Sequence, residues 1–80
     1  MAISLVDLKK GEKAEVVNFN CGEGMMRRLE GLGIRKGKVI SRVSSQLLGG
    51  PVLVSVDRRQ TAMGRGMADK IIVKKLEDDN

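Results

Sequence analysis

The sequence predicts a mainly β domain, a small and partly closed β-barrel of five short strands with one or two short helices. Three observations carry that expectation. Ten glycines against a single proline call for many tight corners rather than a disordered tail. Val52, Val54 and Val56 alternate cleanly after Gly49-Gly50-Pro51, as a strand does on leaving a turn. Finally, Met25 to Gly37 (MMRRLEGLGIRKG) reads as a short amphipathic helix, a glycine stop and a basic turn into the next strand.

In chain order, Ile3, Leu5 and Leu8 give an apolar edge strand and a turn ending at Gly11. Lys13 to Asn20 carries Ala14, Val16, Val17 and Phe19 and reads as a strand with imperfect alternation. Cys21-Gly22-Glu23-Gly24 is expected to be a loop. In the helix that follows, Met25, Leu29 and Leu32 fall at i, i+4 and i+7 and share one face, while Arg27, Arg28 and Glu30 point away. Gly33 stands where a left-handed residue ends a helix at low cost, and Ile34 can fold back on the last turn as its apolar contact. Arg35-Lys36-Gly37 is turn chemistry leading into a strand from Lys38 to Gln46, with Val39, Ile40 and Val43. That strand and the Val52–Val56 strand pair as a hairpin whose tip includes Leu47 and Leu48. Thr61 to Asp69 reads as a weak helical turn, because Gly64 and Gly66 each cost about 1 kcal/mol relative to Ala. Ile71-Ile72-Val73 is the final strand. One echo links DLKKGEKAEVV, from residue 7, to GIRKGKVISRV, from residue 33; it is read as two similar turns feeding two strands, not as a repeat.

Eighty residues make one domain, close to the size at which a chain hides only about 60% of its unfolded surface. With Phe19 the only aromatic, Val, Ile, Leu and Met must fill the core. The single Cys21 rules out an intramolecular disulfide. The first ten residues lack a basic and apolar leader, and no stretch approaches the ~20 apolar residues of a membrane span. A cytoplasmic protein without membrane insertion is expected.

The chain has no His and one Cys, so it has no zinc ligand set, no Cys-His nucleophile and no histidine base for a serine. An enzyme is not expected, nor a cofactor or a small-molecule substrate. Gly22-Glu23-Gly24 precedes a helix but lacks the GxxxxGK[ST] pattern of a phosphate loop. Met25, Met26, Met63 and Met67 include an i, i+4 pair that would suit a soft metal. Methionine is also the adaptable filler of cores poor in aromatics, and packing is the expected role. No metal site is predicted. The net charge of +5 comes in separate pairs such as Lys9-Lys10, Arg27-Arg28 and Arg58-Arg59. It admits a basic barrel that binds structured RNA through phosphates, as the alternative function. A single-strand platform would need aromatic side chains for stacking, and only Phe19 exists. Leu47 and Leu48, beside a Gly-Gly-Pro turn, are costly to expose unless the loop folds back onto the barrel, the ordinary account, or a partner covers them, which makes them candidate contacts.

Four blocks in order resemble the FeoA family: LxxLKKGEKAEVV at Leu5–Val17, GEGMMRRLEGLGIRKGKVI at Gly22–Ile40, GGPVLVSV at Gly49–Val56 and TAMGRGMADKIIV at Thr61–Val73. The RLxxLGIxxG segment, Arg28 to Gly37, is the most specific part. The resemblance covers nearly the whole chain and implies one FeoA-like domain over residues 1–80, with an SH3-like β-barrel fold. It further implies a cytoplasmic accessory of ferrous iron uptake that acts on FeoB, a membrane transporter with a cytoplasmic GTP-binding region. Leu47, Leu48, Arg27 and Arg28 are then the candidate partner contacts of a monomer or weak dimer.

Overall fold

The computed structural model describes residues 1–44 and 50–76. Glycine turns decide where its strands begin. Gly11 and Gly37 have φ of +85° and +91°, and each is the third residue of a four-residue turn. The Glu12 N–H donates to the Lys9 carbonyl at 2.9 Å, and the Lys38 N–H to the Arg35 carbonyl at 3.0 Å. Lys10 and Lys36 are not among the residues with positive φ, so both turns are type II, the type that needs glycine at this position. The echo in the sequence is this pair of turns. One feeds β2 (Lys13–Phe19), the other β3 (Val39–Ser44).

Between them lies α1 (Glu23–Gly31), and its stop is as the sequence predicts. Gly33 has φ of +87°; its N–H donates to the Glu30 carbonyl at 2.9 Å, and the Ile34 N–H donates to the Leu29 carbonyl at 3.0 Å. Those two bonds make a Schellman motif, and its apolar partners Leu29 and Ile34 are both fully buried. The helix starts earlier than expected, with Gly22 as N-cap and Glu23 and Gly24 in the first turn. An acidic residue at that end favours it electrostatically. Leu32, expected on the apolar face, is instead 39% exposed because it is the C-cap, where the chain has already left the helical course.

The remaining elements are β1 (Ala2–Ser4), a 3₁₀ helix at Leu5–Asp7, β4 (Val52–Val56), β5 (Arg59–Met63), α2 (Arg65–Asp69) and β6 (Ile71–Lys75). All six strands join one antiparallel sheet in the order β1-β6-β2-β3-β4-β5. The fold is thus mainly β and SH3-like, with one strand more than expected. Residues Thr61 to Met63, read as part of a helical turn, belong to β5, which pairs Val52↔Met63 through Val56↔Arg59 with β4. Only Arg65–Asp69 is helical, so Met63 and Met67 lie on different elements. The pairing of β3 with β4 confirms the predicted hairpin, and its tip, with Leu47 and Leu48, lies outside the described residues.

Val52, Val54 and Val56 point into a single core with Leu5, Leu8, Ala14, Val16, Leu29, Ile34, Ile40, Ile71 and Val73. The imperfect alternation of β2 is a bulge: Val16 faces Val73 and Asn18 faces Ile72, leaving Val17 extra. The bulge switches the inward parity, so Phe19 returns to the core. Met25, Met26 and Met67 are half-buried against that core, which is the packing role.

One charged side chain is buried with them. Ile40 faces inward, and the two-residue period of a strand then turns Arg42 inward as well. Arg42 is 5% exposed. Its Nη1 donates to the Leu8 carbonyl at 2.7 Å and to the Val6 carbonyl at 3.4 Å, both just after or within the 3₁₀ helix. Its backbone joins the same segment, donating to the Glu12 carbonyl and accepting from the Gly11 N–H. Ser4 completes the anchoring: its hydroxyl accepts from the Val6 N–H and donates to the Asp69 carboxylate of α2 at 2.8 Å.

Two predictions follow from these contacts. Arg42→Ala leaves buried carbonyls without their donor and opens a void, and should cost about 3 kcal/mol in urea unfolding; a loss below about 1 kcal/mol would contradict the anchoring role. Glu12 accepts a hydrogen bond from the Lys75 ammonium and another from the Lys9 N–H, and its pKa lies below the ordinary 4.5. A folded pKa below the unfolded one gives stability that is complete above 4.5 and is lost as pH falls through the folded value. The stability gap between wild type and Glu12→Gln should therefore close in acid. A gap that persists in strong acid would rule out this charge as its source.

Candidate functional site

A cleft of about 310 Å³ lies between the end of α1 and the turn joining β4 to β5. One wall is the Schellman stop itself, Glu30 through Gly33, with Arg35 just beyond it. The other wall is Val56, Asp57 and Arg59. The family-like Arg28–Gly37 segment thus shapes one side, and a turn that the sequence reading missed shapes the other.

That turn is unusual in composition. Asp57 and Arg58 have φ of +52° and +68°, and Val56 pairs with Arg59 across them. A two-residue hairpin with both central residues at positive φ is type I′, which ordinarily favours Asn-Gly. Neither residue here is glycine, so the turn is held at local cost. An ion pair offsets part of it: Lys38 Nζ lies 2.7 Å from Asp57 Oδ2 and ties the turn to the start of β3. Because both side chains are largely exposed, this pair is worth little in stability but fixes where the Asp57 charge is spent.

The electrostatics of the cleft follow from that pairing. Asp57 is neutralised by Lys38, while Arg35 and Arg59 are exposed and make no ion pair or side-chain hydrogen bond among the described residues. Glu30 is the remaining acid of the lining. The backbone offers no spare donors at the helix end, since the N–H groups of Leu32, Gly33 and Ile34 are all used within the cap. The unpaired cations that an anion would meet in the lining are the Arg35 and Arg59 guanidinium groups. No group of three or more His, Cys, Asp or Glu able to hold a metal occurs among the described residues.

The candidate contacts named from the sequence stand elsewhere. Arg27 and Arg28 are exposed on α1, as expected, but do not line the cleft. Leu47 and Leu48 lie outside the described residues. Phe19 is 7% exposed, which removes the sole aromatic from any stacking surface. Sequence reasoning missed Arg35 and Arg59 as a pair because they are distant in the chain and meet only across the α1–β4 junction. The signal available was the basic pair Arg58-Arg59 after a strand with clean alternation, the position of a hairpin turn.

Residues 3–75 match the FeoA domain family. A Methanocaldococcus jannaschii protein named "Putative Fe(2+) transport protein A" is 38% identical over 69 residues, covering 86% of this chain and 82% of its own length. Among solved structures, the crystal structure of an iron uptake regulatory protein, FeoA, superposes with a TM-score of 0.86 at 32% identity, over 95% of this chain and 99% of that one. FeoA of Stenotrophomonas maltophilia, solved as a zinc complex and described as a procaryotic SH3 domain protein, gives a TM-score of 0.78 at 26% identity, over 90% of this chain and 89% of that one.

The strained turn beside the cleft is directly testable. Arg58→Gly should stabilise the protein by about 1 kcal/mol, since glycine enters the left-handed region without a Cβ penalty. A lower urea midpoint for the variant would show that the Arg58 side chain makes a contribution larger than its backbone cost.

Proposed function

The chain belongs to the FeoA domain family, and on that premise we propose that it is a non-enzymatic accessory protein of ferrous iron uptake. It works in the cytoplasm as a single domain and modulates a FeoB-type membrane transporter by binding its cytoplasmic, GTP-binding region. The observation that carries this reading is the family match over residues 3–75. The S. maltophilia relative's description raises the role of a bacterial ferrous iron transport activating factor, in line with an accessory that acts on a transporter.

The exposed charge of the surface fits a protein that binds a partner. No carboxylate, histidine and cysteine cluster occurs among the described residues, and no helix among them is long and apolar enough to cross a membrane. Charged side chains instead cover an apolar barrel, with Arg27 and Arg28 exposed on α1. We assign these arginines and the Leu47-Leu48 pair of the β3–β4 connection to the partner contact. Burial of Phe19 counts against binding of single strands by base stacking and does not bear on the alternative, structured RNA held through its phosphates.

The purified chain should bind the cytoplasmic region of the FeoB transporter from the same organism in titration calorimetry, in at least one nucleotide state. Leu48→Asp should weaken that complex roughly tenfold, the scale of losing a buried apolar contact, with the amide spectrum unchanged. Absence of binding in either nucleotide state, and to the intact transporter, would defeat the reading; an unchanged affinity for Leu48→Asp would remove Leu48 from the contact.

A further inference from the structure

We propose that the cleft between α1 and the β4–β5 turn receives an extended acidic segment of a partner protein, laid along the open edge of β5 with its carboxylates on Arg35 and Arg59. This rests on the reading that the chain acts by binding a protein, and it deepens that reading by naming the chemistry of the bound segment.

Charge is the first argument. Residues 23–38 and 57–59, which build the two walls and their surroundings, carry seven Lys or Arg against three Asp or Glu. Within the cleft, Asp57 is already paired with Lys38 at 2.7 Å, and Arg35 and Arg59 have no ion-pair or side-chain hydrogen-bond partner among the described residues. Two unengaged guanidinium groups on opposite walls suit carboxylates, which arginine takes in bidentate geometry. The N–H groups of Leu32, Gly33 and Ile34 are consumed by the cap, so charge in the lining is met by the arginine side chains. Leu32, 39% exposed on the same lining, offers an apolar contact beside the charges.

The second argument is the strand edge. β5 ends the sheet order, and Arg59 is both its first residue and part of the cleft. Val56 and Arg59 close a two-residue turn, so Arg59, Thr61 and Met63 spend their main-chain groups on β4. By the same alternation, the N–H and C=O of Gln60 and Ala62 face away from β4, and both residues are exposed. Two of the usual edge protections are missing here: β5 has no proline and its pairing with β4 has no bulge. The β1 edge is shorter, with three residues running into the 3₁₀ helix. An added strand along β5 would gain main-chain hydrogen bonds while its end residues reach the arginines. A second copy of the chain, itself at +5, is the less complementary occupant.

The test uses a fluorescein-labelled peptide of alternating Glu and Val, a Lys/Val counterpart, and the full-length protein. Anisotropy should show binding of the Glu/Val peptide alone, and ¹⁵N amide shifts should cluster at Arg35, Gln60 and Ala62. Arg35→Glu with Arg59→Glu should weaken binding roughly tenfold or more, with its folded amide spectrum retained, because both side chains are exposed and unpaired. Lys9→Glu with Lys10→Glu changes the net charge equally and should leave affinity within about twofold. N-methylation of alternate peptide amides should abolish the β5 shifts. Equal losses in the two double variants would reduce the effect to net charge and overturn the proposal. So would shifts centred elsewhere, indifference to N-methylation, self-association through β5 without peptide, or tighter binding of an RNA hairpin at the same residues. The peptide carries no FeoB sequence, so its result stands apart from the transporter titration: failure of one leaves the other readable.

Discussion

A buried cation governs the architecture. Placing a guanidinium inside a small core costs several kcal/mol unless its donors are met. The Leu8 and Val6 carbonyls meet Arg42 where the 3₁₀ helix ends. That requirement fixes the N-terminal segment against β3, because the same two stretches are also joined through the Arg42, Gly11 and Glu12 backbones. Leu5 and Leu8 are thereby held in the core, and Ser4 passes the constraint on to α2 through Asp69. An aliphatic residue at position 42 could fill the space, but it would leave those carbonyls without their side-chain donor. In a domain with one aromatic residue, a polar anchor of this kind supplies definition that bulky packing would supply elsewhere.

Around that anchor, backbone geometry sets the boundaries. Three glycines with positive φ, at positions 11, 33 and 37, place two type II turns and one Schellman stop, and β2, β3 and α1 take their limits from them. At those positions local preference and global fold agree. At Asp57-Arg58 they disagree, since two side-chain-bearing residues occupy the left-handed region. Such a conflict survives where the surroundings determine the backbone, here through β4–β5 pairing and the Lys38 ion pair. The conflict sits on one wall of the cleft, and its location is the reason to connect it with binding.

The parts legible in the sequence are those written in local chemistry. Gly33 followed by Ile34 announced the helix stop, alternating valines announced β4, and the KKG and RKG triplets announced their turns. β5 was hidden because its residues, Arg-Gln-Thr-Ala-Met, carry little strand propensity and its turn lacks glycine; pairing with β4 imposes the strand. Arg42 was legible in principle, two residues from inward Ile40, yet an arginine is assigned to solvent by default. Its burial depends on carbonyls more than thirty residues away in the chain. The cleft was beyond local reasoning, because neither Arg35 nor Arg59 forms it alone.

That division bears on function. The segment Arg28 to Gly37 carries the family resemblance, and Leu29, Gly33 and Ile34 in it are fixed by burial and by backbone conformation. Such residues are spent on building the barrel, so they shape the fold without choosing a partner. Choice of partner requires groups whose interactions are not already satisfied within the chain. In the same segment those include the exposed Arg28 and Lys36, Arg35, which the turn holds at the cleft, and Leu32, which the helix stop leaves at the surface. The constraint that ends the helix therefore also sets out the groups available for recognition. Fold signature and proposed binding surface are two faces of one cap.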